Sequence, residues 1–249
     1  MSEGRPLRGK TALVTGAAKR LGRATALALA REGVDVVIHY DSSATEAEET
    51  AREASVLGVD AWCVQGNLAA DEGATGIFEA SMKVAGALDI LVNNAAIFPE
   101  DELLDVGGAS IQEAVQINAA SPLALGRLFA AQGREGCIVN YLDARIADYD
   151  SRHVSYHLSK KMLFSITRMM ALEFAPAVRV NAVAPGLILP PAGKDESYLQ
   201  SLASTNPLRR HGDGEDVAAA AVFLVKASFV TGQVIFVDGG RHMLGGVYG

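Results

Sequence analysis

The chain has 249 residues, 49% of them hydrophobic, and its 29 Asp and Glu outnumber 22 Lys and Arg for a formal net charge of −7. That length supports one large α/β core, and the acidic balance, with no Lys/Arg run of five or more, excludes the positive footprint that a nucleic-acid partner needs. Cys63 and Cys137 stand 74 positions apart and outside any CxxC pair, which suits a reducing compartment and argues against a disulfide framework.

The polar opening "MSEGRPLRGK" has no apolar h-region, and no apolar run approaches the ~20 residues that a membrane span needs. The chain therefore reads as a soluble, cytoplasmic protein with no membrane partner. The first strand is "TALVT" (11–15), and the turn after it, Thr15-Gly16-Ala17-Ala18-Lys19-Arg20-Leu21-Gly22, opens a helix over 20–32. Gly16 permits the sharp turn and Gly22 close packing of helix on sheet, so that the helix N-terminus presents free N–H groups to a pyrophosphate. The rival reading is a glycine turn with no ligand. Arg20 stands where this pattern usually has another glycine; with Lys19 it offers charge to a phosphate or a substrate. Gly33 reads as the glycine that ends the helix.

The second strand, "VDVVIH" (34–39), runs into Tyr40, Asp41, Ser42 and Ser43. An acid near this strand end binds the ribose 2′-hydroxyl of NAD, and Asp41, 19 residues past Gly22, is in range. Ser42 and Ser43, with Lys19 and Arg20, instead suit the 2′-phosphate of NADP, the cofactor favoured here. A helix over 44–57, a strand "AWCVQ" (61–65), a helix over 72–85, a strand "LDILVN" (88–93) and a helix over 108–131 follow. The strand "CIVNY" (137–141), a helix over 152–174 and the strand "VRVNAV" (178–183) come next. The longest irregular stretch, 187–210, reads as a mobile flap or a tolerated excursion. A helix over 214–225 and a strand "QVIFV" (233–237) close the chain. Strands nearly continuous in Val, Ile and Leu, alternating with helices, predict one doubly wound α/β domain over 1–249, a Rossmann fold of seven parallel strands.

Within "YLDARIADYDSRHVSYHLSKK" (141–161), Tyr156 and Lys160 are four apart and share a helix face. An ammonium there is expected to lower the tyrosine pKa and make Tyr156 a proton donor. Asp143 stands 13 residues before it. His153 and His157, also four apart, have no third ligand at metal-site spacing and read as helix-surface histidines rather than a metal site.

The motifs "TGAAKRLG", "NNAA" (93–96), "QINAASP" (116–122), "YHLSK" (156–160), "NAVAPG" (181–186) and "TGQVIFVDGG" (231–240) fall in the order and spacing of the short-chain dehydrogenase/reductases, which the chain resembles over essentially its full length. The resemblance implies Tyr156 as general acid, Lys160 on the nicotinamide ribose and Asn118 anchoring a proton-relay water. It also implies a dinucleotide lined by Gly16, Leu21, Gly22, Asn67, Leu68, Asn93, Asn94, Ala95, Pro185 and Gly186. Homotetramers built through the helices at 108–131 and 152–174 are implied too, with the closing "HMLGGVYG" joining a subunit contact.

Four departures point within the family. Asp143 replaces the usual serine, Arg20 gives a TGxxxRxG turn, Phe98 follows "NNAAI", and the threonine usually found after Pro-Gly is missing. They resemble the pteridine reductase branch and the related bacterial dihydromonapterin and dihydrofolate reductases, in which a pterin lies between the nicotinamide and an aromatic ring. Ala96 departs from the serine of the protozoan type. The expected function is NADPH-dependent reduction of a C=N bond in a pterin or dihydrofolate-like ring, with Arg20, Phe98, Asp143 and Tyr156 on the substrate. The rivals are a 3-oxoacyl thioester ketoreductase and a dinucleotide-sensing module without chemistry. At single residues, Asp143 is alternatively a structural acid paired with Arg145 or Arg152, and Phe98 ordinary apolar lining.

Overall fold

A computed structural model describes residues 7–191 and 193–244. Seven parallel strands, β1 (Thr11–Val14), β2 (Asp35–Tyr40), β3 (Ala61–Gln65), β4 (Ile90–Asn93), β5 (Gly136–Tyr141), β6 (Val178–Pro185) and β7 (Val234–Val237), form one sheet in the order β3-β2-β1-β4-β5-β6-β7. The order reverses between β1 and β4, which pair through Leu13 and Leu91. A reversal of this kind opens a crevice at the carboxyl ends of the strands.

Alternate residues of each strand feed two cores. Ala12, Val14, Val36, Ile38, Ile90 and Val92 pack on one face, toward helices α1 (Arg20–Arg31), α2 (Ala44–Val56) and α8 (Gly214–Lys226). Leu13, Val37, Leu91 and Ile138 pack on the other, beneath α3 (Gly73–Ala85), α5 (Ser121–Ala130) and α6 (Val154–Glu173). Burial on both faces explains why the strands read as unbroken apolar runs. Helix α8 packs against α1, and its start is fixed by a capping box in which Asp213 accepts from the Asp216 N–H (3.0 Å) and Asp216 from the Asp213 N–H (3.1 Å).

Two expected elements differ. The helix expected over 108–131 is α4 (Gly108–Val115), a π-helical turn over Gln116–Ala120, then α5. The stretch 187–210 is not wholly irregular: it holds α7 (Glu196–Leu202), whose N-cap Asp195 accepts from the Ser197 N–H at 3.0 Å. Prolines before it mask that start signal in the sequence. Residues 245–249 of the closing segment lie outside the described residues, as does Ala192 of the expected flap. Among the described residues, no helix is long and apolar enough to cross a membrane.

Candidate active site

The turn between β1 and α1 is shaped by close backbone approach. Gly16 adopts φ 63°, and a Cβ on Gly22 would lie 2.2 Å from the Gly16 carbonyl oxygen and 2.5 Å from Asn94 Nδ2. Asn94, just past β4, completes the turn: its Nδ2 donates to the carbonyls of Thr15 (2.9 Å) and Gly16 (3.2 Å). Thr15 Oγ1 in return accepts from the N–H groups of Asn94 and Ala95, both at 3.0 Å. Beneath the turn the His39 ring accepts from the Gly16 N–H at Nδ1 (3.1 Å), so its Nε2 carries the proton toward Gly66 O. Burial lowers the His39 pKa, which keeps that ring neutral.

Lys19 caps α1 in an extended conformation without a side-chain cap bond, so no side chain of its own closes the first turn of the helix. Gly22→Ala is expected to be poorly tolerated. The new methyl meets backbone, which cannot step aside, and the overpacking should cost about 1–3 kcal/mol and weaken NADPH binding, as thermal unfolding and fluorescence titration would show.

The charged residues of the turn already have partners. Lys19 Nζ lies 2.6 Å from Glu46, and Arg20, a non-glycine residue at φ 56°, donates from Nη2 to Pro190 O at 2.8 Å. The left-handed φ explains why a glycine usually stands at this position. Leu21 packs on the core. At the end of β2, Tyr40 leans on the same core while Asp41 and Ser42 are exposed, and Ser43 caps α2 without spending its hydroxyl on the helix. Past β3, Asn67 is exposed and bonds the Ala69 N–H, and the Leu68 carbonyl accepts from Ser121 Oγ at 2.9 Å. Pro185 ends β6; Gly186 lies so near Asp238 that a Cβ would come within 2.4 Å of it.

At the end of β5 the expected trio comes together. Asp143 is the N-cap of a short 3-10 turn (Ala144–Ala147), and its Oδ1 accepts from the Arg145 N–H at 2.8 Å. Its Oδ2 accepts from the Tyr156 hydroxyl at 3.0 Å. Asp143 is therefore not the partner of an arginine side chain: Arg145 reaches instead to Asp150, which also binds His153 Nδ1 at 3.0 Å. Lys160 is buried and donates to Tyr141 O at 2.7 Å, with Nζ 5.7 Å from the Tyr156 ring centroid. The Tyr141 hydroxyl shares a 2.5 Å hydrogen bond with Thr25 of α1, so one residue links α1 to Lys160.

One expectation is overturned here. Lys160 does not lower the Tyr156 pKa. Burial and the adjacent Asp143 carboxylate raise it well above 10, with Arg145 opposing only in part. Lys160 is itself brought down to about 8 by burial, against the pull of Asp143. The carboxylate touching the hydroxyl outweighs an ammonium that points at a carbonyl.

The surface reading of the two histidines is also corrected. His157 is buried, with no hydrogen-bond partner for Nε2 among the described residues, and His153 stacks on Phe98 with ring centroids 4.2 Å apart. Phe98 is 45% exposed and meets the edge of Tyr156 at 4.6 Å, so it is no buried lining. Asn118 sits in the π-helical turn with both ends of its amide in use. Its Oδ1 accepts from the Ile97 N–H (2.9 Å), and its Nδ2 donates to Ile97 O and Ser159 Oγ, each at 3.0 Å. Ala96 is exposed beside this segment. Sequence reasoning gave no role to Thr15, Ser159 or Asp101. The first two stand inside the quoted motifs, whereas Asp101 carries no local signal.

The family model described as enoyl-(acyl carrier protein) reductase matches residues 16–242. The 3-oxoacyl-[acyl-carrier-protein] reductase FabG of Staphylococcus aureus is 33% identical over 249 residues, covering 94% of this chain and 98% of that protein. The crystal structure of FolM alternative dihydrofolate reductase 1 from Brucella canis, complexed with NADP, superposes with a TM-score of 0.91 at 31% identity over 97% of both chains. The promiscuous reductase LugOII, which catalyses keto-reduction at C1 in lugdunomycin biosynthesis, superposes at 0.89 with 31% identity, over 95% of this chain and 99% of that one. With this match, the parallel sheet reversing at β1 and β4, and Tyr156 and Lys160 gathered at the end of β5, the chain belongs to the short-chain dehydrogenase/reductase family of oxidoreductases.

Proposed function

We propose that this chain reduces a C=N bond in a pterin or dihydrofolate-like ring with NADPH, Tyr156 supplying the proton. The observation that carries the reading is the 3.0 Å hydrogen bond from the Tyr156 hydroxyl to the Asp143 carboxylate, at the edge of an exposed Phe98 ring. A ketone offers only an acceptor oxygen. A pterin offers ring N–H and amino donors, and a carboxylate accepts from these where a serine hydroxyl cannot match its charge.

The residues present fit a dinucleotide. Gly16 and Gly22 leave no room for a side chain at either end of the turn, and the buried Lys160 ammonium spends one of its three donors on Tyr141 O, which suits it to ribose hydroxyls. Gly16, Leu21, Gly22, Asn67, Leu68, Asn94, Ala95, Pro185 and Gly186 would hold the cofactor. Ser42 and Ser43, with Tyr40 beside them, and Lys19 and Arg20 on exchanging Glu46 and Pro190 O for the phosphate, would hold the 2′-phosphate that makes it NADP, the form found in the FolM crystal. When bound, the cofactor supplies hydride.

The chain's own part is proton delivery and orientation. Tyr156, held protonated by burial and by Asp143, donates to the ring nitrogen, and Asp143 accepts from the ring's own N–H groups. Phe98, with His153 stacked on one face, leaves an exposed apolar ring beside Tyr156. Asn118 locks Ile97 onto α6 through Ser159, beside the relay water that belongs to this reading. The exposed Leu158, Met162, Met169 and Leu172 on α6 supply an apolar surface for the homotetramer proposed with this reading.

A ketoreductase acting on a 3-oxoacyl thioester is the second reading, favoured by the 33% identity to FabG. NADPH oxidation by the purified protein with dihydrobiopterin, dihydrofolate and an acetoacetyl thioester, and NADH as control, separates the two. Turnover confined to the dihydro ring substrates is expected; turnover confined to the thioester would replace the first reading with the second.

A further inference from the structure

We propose that Asp101 is a positioning residue: it clamps the Phe98 loop and α4 to the first turn of α6, and thereby sets where Tyr156 stands. Helix α6 needs such help. Its own N-cap, His153, makes no side-chain cap bond, and the first N–H groups of a helix must find acceptors elsewhere. Asp101, 54 positions upstream, provides them. Its Oδ1 accepts from the Ser155 N–H at 3.0 Å, and its carbonyl accepts from the Val154 N–H at 3.3 Å.

The other carboxylate oxygen gathers two hydroxyls, that of Ser155 and, at 2.7 Å, that of Ser110 on α4. Main-chain bonds run alongside, from Asp101 N to Arg152 O (3.0 Å) and Leu103 N to Ser151 O (3.3 Å). Burial alone would raise the Asp101 pKa, but the hydrogen bonds from Ser155, Ser110 and Val154 outweigh it and hold the group below the usual carboxylate range. A negative charge is thus kept at the positive end of the helix.

The clamp lies beside the chemistry on both segments. Tyr156 directly follows Ser155, and Phe98 stands three residues before Asp101. Asn118 grips Ile97 and, through Ser159, the next turn of α6. Loop and helix are therefore pinned together on both sides of the Phe98–Tyr156 contact. Misplacing a reacting group by about 1 Å costs on the order of 100-fold in rate, which is the scale on which the clamp acts.

The inference rests on Tyr156 as proton donor and holds for either substrate class. The test compares Asp101→Ala, Asp101→Asn, Ser155→Ala and Tyr156→Phe on whichever substrate the unaltered protein turns over, with kcat, KM, NADPH affinity by fluorescence and thermal unfolding measured for each. Asp101→Ala is expected to lower kcat by about 10–100-fold with NADPH affinity unchanged, and Asp101→Asn, which keeps one acceptor for the Ser155 N–H, to recover much of the loss. Should Asp101→Ala fail to fold, Ser155→Ala, which removes only the hydroxyl link, is expected to lower kcat severalfold at an unchanged unfolding temperature. A kcat equal to the unaltered protein's in the folded variants, or a parallel fall in kcat and NADPH affinity, would overturn the clamp and leave an ordinary structural cap. If instead Tyr156→Phe keeps its activity, the functional reading itself is wrong, an outcome distinct from a silent Asp101.

Discussion

Tyr156→Phe is expected to lower kcat for NADPH-dependent reduction by about 10²–10⁴-fold, the usual contribution of a positioned general acid, while NADPH still binds. The phenyl ring keeps the contact with Phe98, so what disappears is the hydroxyl that bonds Asp143. Lys160 reaches Tyr141 O without help from the tyrosine oxygen, so the ribose site should survive. Stopped-flow and steady-state assays with a fluorescence titration of NADPH check both halves. A variant retaining more than about a tenth of the activity would mean that another group delivers the proton.

Asp143→Asn should act differently. The shape is kept and the charge removed, so turnover of a dihydropterin should fall roughly 10–100-fold, the equivalent of one hydrogen bond to a charged group. The pH profile gives the sharper signature. The rate falls as pH rises through the pKa of the first group to lose its proton, Lys160 at about 8 ahead of Tyr156, and Asp143 helps to hold up the pKa of each. Without the carboxylate charge both drop and the alkaline fall should begin at lower pH. Measuring kcat against pH for both proteins decides it: an unmoved alkaline limb would remove Asp143 from any part in the proton chemistry. The ketoreductase reading further requires that Asp143→Ser be tolerated.

Much of this architecture is legible in the residues, because burial on both sheet faces leaves strands such as "VDVVIH" and "VRVNAV" no polar alternation to confuse them with helices. Tyr156, Lys160 and Asp143 are legible for another reason: they lie within one strand-turn-helix unit, where local spacing predicts meeting. What stayed hidden is non-local or of another period. The π-helical turn at Gln116–Ala120 carries a five-residue step that a 3.6-residue apolar pattern cannot reveal. The Asp101 clamp joins residues 54 apart and leaves no local trace. The direction of the Tyr156 shift was misread because sharing a helix face says nothing about where a long ammonium stem points. In the fold, Lys160 turns to the carbonyl of Tyr141 and yields the hydroxyl to Asp143.

The way Asn94 completes the glycine turn also bears on how the chain folds. Thr15 and Gly16 lie 79 and 78 positions before the amide that binds their carbonyls, and β1 touches β4 only after β2, β3 and three helices have been laid down. Contacts of such long range form late, since the loop-closure entropy must be met before they stabilise anything. The dinucleotide site therefore does not exist in the isolated N-terminal segment, despite its glycine motif. It appears when the β1–β4 seam shuts, so the cofactor acts on folding as a lock on the assembled sheet rather than as a template for its first half.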